Sequence, residues 1–174
     1  VKVEPMLTPI TGEQLSGGSI TTDEARVDVS ARSFWQDGQR AFFDVRVINP
    51  FAQRYKKQSP QASFVTNERE KKRGYNQRII QIEHGTFSPL VFSPYGGCGR
   101  KAEKVISMLA GKIALKEKID YGITVSWLRT KLSFTLLRSA ILCIRGSRDW
   151  WRPDRTIVDP TDIKITNDIA RISR

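Results

Sequence analysis

Two aspartates and a pair of lysines have types and spacing that suit one kind of chemistry. Asp28 lies in ARVDV and Asp44 in FFDVRV, on two runs that alternate as strands do, and Lys71 and Lys72 follow in EREKKRGY. Two carboxylates bind a hard divalent ion, and a nearby lysine positions a water or offsets charge on a phosphate, which together make a minimal site for cleaving a phosphodiester. The plainer reading of Asp44 is a carboxylate on a solvated face, paired with Arg46 or with a neighbouring strand.

The elements that must position these groups can be read from periodicity. Residues 25–35 and 40–50 alternate and are rich in β-formers, and Asp37-Gly38 between them is a hairpin-turn signal, so two antiparallel strands are expected, the second ended by Pro50. A turn centred on Asp37-Gly38 sets Asp44 opposite a residue near 31 and leaves Asp28 one diagonal step away, within reach of a shared ion where the sheet twists or bulges. Residues 51–63 read as irregular, with Ser59-Pro60 as punctuation. TNEREKKRGYNQRIIQIEHG reads as a helix opened by Thr66 or Asn67, with Glu70 three residues after Asn67 and Gly85 closing the segment.

FSPLVFSPYGG, residues 87–97, is a short apolar run that suggests a buried central strand, and the glycines after it lead into a helix over RKAEKVISMLAGKIALKEK. Residues 125–146 carry the longest helical pattern, with Leu128, Leu132, Leu136 and Ala140 on a wide apolar face, and are expected to be core scaffold. The resulting expectation is an α/β domain over residues 23–148: a mixed central sheet with an N-terminal antiparallel hairpin, flanked by helices. Residues 1–22, with their prolines and glycines, read as an extended arm, and residues 149–174, which begin at a composition break at Trp150-Trp151, as a tail.

Composition narrows the partners. Among 174 residues, 29 are Lys or Arg and 18 are Asp or Glu, a formal net charge of +11. An excess of that size points first to a polyanion, because each neutralised phosphate releases condensed counterions. An anionic membrane surface fits less well, since no helix combines a dense basic face with interfacial aromatics. No apolar run reaches the length that spans a bilayer, and the N-terminus lacks the layout of a secretory signal. An intracellular protein is expected, and the start at Val1 suggests a piece of a longer polypeptide.

Other chemistries find less support. His84 is the one histidine, so a histidine metal cluster or a Ser-His-Asp triad has a single residue to rest on. Cys98 and Cys143 lack the paired spacing of zinc ligands and read as thiols with no catalytic role. YGGCGRK is a glycine-rich turn into a helix, not a Walker loop; it offers a helix N-terminus where Lys101 and the backbone from Gly97 meet a phosphate, with a simple tight turn as the alternative. Glu83, just before the apolar strand, is either a further ligand or a helix-end charge.

ARVDV, FFDVRVINP, EREKKRGY and FSPLVFSPYGG, in that order and spacing over residues 20–148, resemble the restriction-endonuclease-like domain found at the C-terminal end of some retrotransposon polyproteins, a branch of the PD-(D/E)xK nuclease superfamily. The resemblance implies a restriction-endonuclease-like α/β core and DNA cleavage dependent on Mg²⁺ or Mn²⁺. It gives Asp28 the place of the first motif's aspartate, preceded here by Val27 instead of proline, and Asp44 that of the second motif's acid. The lysine usually found two residues later is Arg46, which stays charged and makes a poor base. In the retrotransposon branch the lysine comes from the following helix in a K…Y pattern, which Lys71 with Tyr75 fits better than Lys72. Glu24 matches an extra acid that some members carry as a metal ligand.

On that reading the chain is an endonuclease domain of a mobile element that nicks DNA. Arg46, Arg69, Lys72, Arg73 and Arg78 would contact the phosphate backbone, supplying affinity with little sequence discrimination. DNA and other domains of a parent polyprotein are the expected partners, with room for a homodimer, and the nucleus is the expected site of action. The alternatives are a Holliday-junction-resolvase-like or repair nuclease on the same core, and a catalytically silent DNA-binding or assembly module.

Overall fold

The computed structural model describes the backbone of residues 1–145 and side chains through residue 143, so the tail at 149–174 and the cap candidate Gly146 lie outside the described residues. The described chain is α/β, with a four-stranded mixed sheet and three helices. The elements run β1 (Lys2–Val3), β2 (Val29–Arg32), β3 (Arg40–Val47), a 3-10 turn (Gln53–Tyr55), α1 (Pro60–Gln81), β4 (Thr86–Phe92), α2 (Arg100–Glu117) and α3 (Tyr121–Arg145). The sheet order is β1-β2-β3-β4, with β1 and β3 antiparallel to β2 and β4 parallel to β3. A parallel neighbour needs a crossover, and α1 supplies it.

The hairpin forms, but its register differs from the expected one. Val29 faces Phe43 and Ala31 faces Ala41, which moves the centre of the turn back from Asp37-Gly38. The cause is a longer loop: Ser33 takes a positive φ of 58°, its N–H donates to the Gln39 carbonyl, and Gly38 sits at φ 77° with its N–H on Ser33 Oγ. Extended one residue past the end of β2, this register sets Asp28 opposite Asp44 instead of one diagonal step away.

The first half of β3 is covered on both faces, whereas Val45 and Val47 further along are exposed. Phe42 packs with Leu7, Val27, Ile79 and Phe87, and Phe43 with Phe34, Ala41 and Val105. Leu7 belongs to the stretch expected as an arm. That stretch instead supplies the edge strand β1, a bridge between Met6 and Arg26, and a core side chain only 1% exposed.

The crossover helix starts earlier than its apolar pattern suggests. Ser59 Oγ accepts from the Ala62 N–H at 3.2 Å and Pro60 takes the first helical position, so Ser59-Pro60 is a cap and opening residue, not loop punctuation. The helix ends at Gln81, and Gly85 then lets the chain turn into β4 where a Cβ would lie 2.7 Å from the Arg40 carbonyl oxygen. The inward stripe of α1 reads Phe64, Asn67, Glu68, Lys71, Tyr75, Arg78 and Ile79, so the face turned to the sheet is mostly polar.

Two compact units divide the described chain, one over Val1–Leu109 and one from Ala110 onward. The second holds the end of α2 and all of α3, which Asp120 opens by accepting the Ile123 N–H on Oδ1 at 3.1 Å. The apolar stripe expected to make α3 core scaffold is not buried: Phe134, Leu137, Ile141 and Leu142 are exposed, and Leu128, Leu132 and Leu136 only half-covered. No helix among the described residues is long and apolar enough to cross a membrane.

Candidate active site

Asp28, Asp44, Lys71 and Tyr75 come from three separate segments and converge on one face of β3. Asp44, in the middle of the strand, is 5% exposed. Lys71 reaches it from α1, with Nζ 2.5 Å from Asp44 Oδ2. That oxygen is buried, and the Lys71 ammonium is its charge-assisted partner there. Burial pushes the Asp44 carboxyl up; Lys71 opposes this without overcoming it, and the nearby Asp28 carboxylate adds to the rise.

Asp28 sits where β2 leaves its partner. Its Oδ2 accepts the Val45 N–H at 2.6 Å, standing in for the strand carbonyl that the ladder would have supplied next. The Asp28 carboxylate thus bonds to the backbone of the residue after Asp44, and this local geometry fixes the two acids side by side.

Tyr75 lies one helical turn beyond Lys71. Its ring packs on Phe87 with centroids 5.5 Å apart, and Lys71 Nζ lies 5.7 Å from the ring centre. Burial, then the charges of Asp44 and Asp28, push the phenol above its ordinary value, so Tyr75 stays a protonated donor facing two carboxylates. The remaining ligand candidate, Glu24, is exposed, and no trio of His, Cys, Asp or Glu side chains suited to a shared ion forms among the described residues. Glu24 is therefore not brought to the aspartate pair. Glu83 is engaged elsewhere, accepting the Thr8 N–H at 2.7 Å and pairing with Arg40 at 3.5 Å.

Arg46, two residues after Asp44, is engaged with α1. Arg46 Nη1 donates to Asn67 Oδ1 at 2.8 Å and to Glu70 Oε2 at 2.7 Å, tying β3 to the turn of α1 just before Lys71. Asn67 is buried and also bonds Tyr55 Oη and the Ser63 carbonyl. Sequence reasoning took Asn67 for a helix cap and missed this hub, because the earlier cap at Ser59 had been read as a break.

The expected phosphate contacts divide. Arg69 and Arg73 are exposed, a turn apart on α1, and line a shallow open depression with Thr66 and Glu70; Lys72 is half-buried beside them. Arg78 is a correction. It has no exposed surface, and its guanidinium donates to the carbonyls of Ile20, Thr22 and Thr8 at 3.1, 2.7 and 2.9 Å, so it cannot reach a phosphate and instead fastens the N-terminal segment to α1. The start of α2 is also taken: Glu68 Oε1 accepts the Lys101 N–H at 3.1 Å, and a Cβ on Gly99 would collide with that carboxylate. The protein's own buried anion fills the helix N-terminus where a phosphate contact by Lys101 was expected. Glu68 carried no sequence signal, being one acid in a run of charged residues.

Comparison with known proteins returns no match: no family model, no curated protein and no solved structure.

The donor set is compatible with a hard divalent ion. Two carboxylates lie together, Lys71 balances one of them, and Mg²⁺ commonly takes only one or two protein carboxylates while keeping several waters.

Proposed function

We propose that the chain is a divalent-metal-dependent endonuclease domain acting on DNA, on a restriction-endonuclease-like core of the kind carried by retrotransposon polyproteins. The observation that carries this reading is the meeting of Asp28, Asp44 and Lys71 at one spot in a chain of net charge +11. The topology supports it: an antiparallel pair, a crossover helix and a parallel strand beside the acid-bearing one put a lysine from the helix over the aspartates.

Asp28 and Asp44 would hold Mg²⁺ or Mn²⁺. When bound, the ion supplies a water of lowered pKa and a Lewis acid for the phosphate. Lys71, sharing Asp44 Oδ2 with that site, is placed to donate to a non-bridging oxygen of the scissile phosphate or to orient the attacking water. Tyr75, kept protonated, is a second donor toward the same oxygens. Arg46 anchors the strand to the helix, while Arg69, Lys72 and Arg73 offer charge to the backbone on either side of the cut.

A silent DNA-binding module is the second reading, and one observation favours it: the site satisfies itself, with Asp28 bound to a backbone N–H and Asp44 paired with Lys71. Plasmid nicking separates the two. With Mg²⁺ or Mn²⁺ the wild type should relax supercoiled plasmid and Asp44→Ala should not, while both retard DNA on a gel; retardation by both without nicking by either would leave the binding module.

A further inference from the structure

Phe51 and Tyr95 are the two exposed aromatic residues of the Val1–Leu109 unit, and they touch each other. Phe51 is 70% and Tyr95 66% exposed, and their rings meet edge to face with centroids 5.5 Å apart. They follow the C-terminal ends of β3 and β4, the two parallel strands, so the pair stands at one end of the sheet.

Neither ring sits on a loose loop. The Phe51 N–H donates to Asn49 Oδ1 at 2.9 Å, and Ile48 before it donates to the Phe92 carbonyl at 2.8 Å. The Tyr95 N–H donates to Ser93 Oγ at 3.2 Å, Ser93 and Gly97 close the turn at 2.7 Å, and Gly97 packs on the buried Phe64 ring. Two ordered turns therefore hold two large apolar rings together in water as one small patch.

The charge around the rings says which partner. Between Asp44 and Glu68 there is no acid and four cations, Arg46, Arg54, Lys56 and Lys57; between Glu83 and Glu103 there is no acid either, and Arg100 and Lys101 follow Tyr95. Arg54, Lys56, Lys57 and Arg100 are exposed. Glu70 pairs with Arg46 and Arg54, so Lys56, Lys57 and Arg100 are the exposed cations left close to the rings in sequence. A rigid aromatic pair flanked by such cations matches the stacking platforms that bind single strands, where any base offers a π-face and the cations follow the backbone.

We infer that Phe51 and Tyr95 form a stacking platform for unpaired bases of DNA, with Lys56, Lys57 and Arg100 along the strand's phosphates. This rests on the nuclease reading only for the premise that the partner is DNA, and it extends that reading to a substrate with an open or frayed strand next to the duplex.

The test is fluorescence anisotropy of a labelled oligothymidylate and a labelled duplex with the full chain in EDTA, where no cleavage occurs. Phe51→Leu and Tyr95→Leu keep apolar bulk and remove the ring; each should weaken single-strand binding about tenfold with duplex binding unchanged, and Phe51→Trp should retain it. Lys56→Gln with Lys57→Gln should lower the salt slope on the single strand by about 0.7 for each cation. Leucine variants that bind oligothymidylate as the wild type does, or a wild type with no single-strand affinity, would overturn the platform. A plasmid that stays uncut while the leucine variants lose single-strand binding would sink the nuclease reading alone.

Discussion

Asp44 takes its balancing cation from the helix and not from its own strand: Lys71 Nζ lies 2.5 Å from Asp44 Oδ2, while Arg46, two residues along β3, turns to Asn67 and Glu70. The cation that balances the acid thus lies on α1, and Arg46 holds the helix that carries it.

Lys71→Met should therefore act on both chemistry and stability. Leaving a buried carboxylate without its partner costs about 3 kcal/mol, visible as a lower urea midpoint, and nicking should fall by roughly 100-fold or more. Lys71→Arg should recover most of the stability and little of the rate. A Lys71→Met protein that nicks at the wild-type rate would remove Lys71 from the site.

Metal binding can be read without any substrate. An ion that binds only the folded chain stabilises it by about 2.7 kcal/mol at a hundredfold excess over its dissociation constant, so Mn²⁺ should raise the wild-type melting temperature. Asp28→Asn and Asp44→Asn should each abolish that rise, and Glu24→Gln, remote from the pair, should leave it intact. Thermal scans with and without Mn²⁺ decide this, and an equal rise in all four proteins would show that the ion binds elsewhere.

The direction of the Asp44 shift fixes a pH dependence. Burial raises its carboxyl above the ordinary value, so the folded chain holds that proton more tightly than the unfolded chain. The contribution of Asp44 to stability is then complete below the unfolded pKa and is lost as the pH rises through the folded one. Without metal, the urea midpoint of Asp44→Asn relative to wild type should move in the variant's favour as the pH rises from below the ordinary carboxylate range through the raised folded value. A relative midpoint that moves the other way would mean that Lys71 outweighs burial.

The basic residues of α1 should separate by burial. Arg69→Ala and Arg73→Ala should each reduce the salt slope of duplex binding by about 0.9 and leave stability near wild type. Arg78→Met should leave that slope unchanged and cost at least about 3 kcal/mol, since three carbonyls lose their donor. Gel shifts across a salt series, together with urea melts, test both halves.

The α/β order of strand, strand, helix, strand, helix was legible because alternation, turn residues and an apolar run mark each element separately. The candidate pair Asp28 and Asp44 was legible for the same reason, as two charges inside β-rich runs. What escaped notice depended on contacts between distant segments. The hairpin register was missed because a left-handed Ser33 lengthened a loop that Asp37-Gly38 made look short. The early start of α1 was missed because Ser59-Pro60, which caps and opens it, carries the residue types of a loop. Composition could not separate Arg78 from Arg73, because the carbonyls that bury one of them belong to a segment some sixty residues away. The apolar stripe of α3 led to the opposite error, since helical periodicity signals a face to cover without supplying the cover.

The carbonyls held by Arg78 also bear on the order in which the chain folds. Thr8, Ile20 and Thr22 leave the ribosome well before their shared donor, so the N-terminal segment can pair with β2 early but cannot be fastened to the helix until α1 has been synthesised through Arg78. Contacts of such long sequence separation close late, after the local helix and hairpin. During synthesis, Leu7 would remain incompletely covered until α1 and β4 arrive, and a defect at Arg78 would appear first as loss of newly made chains.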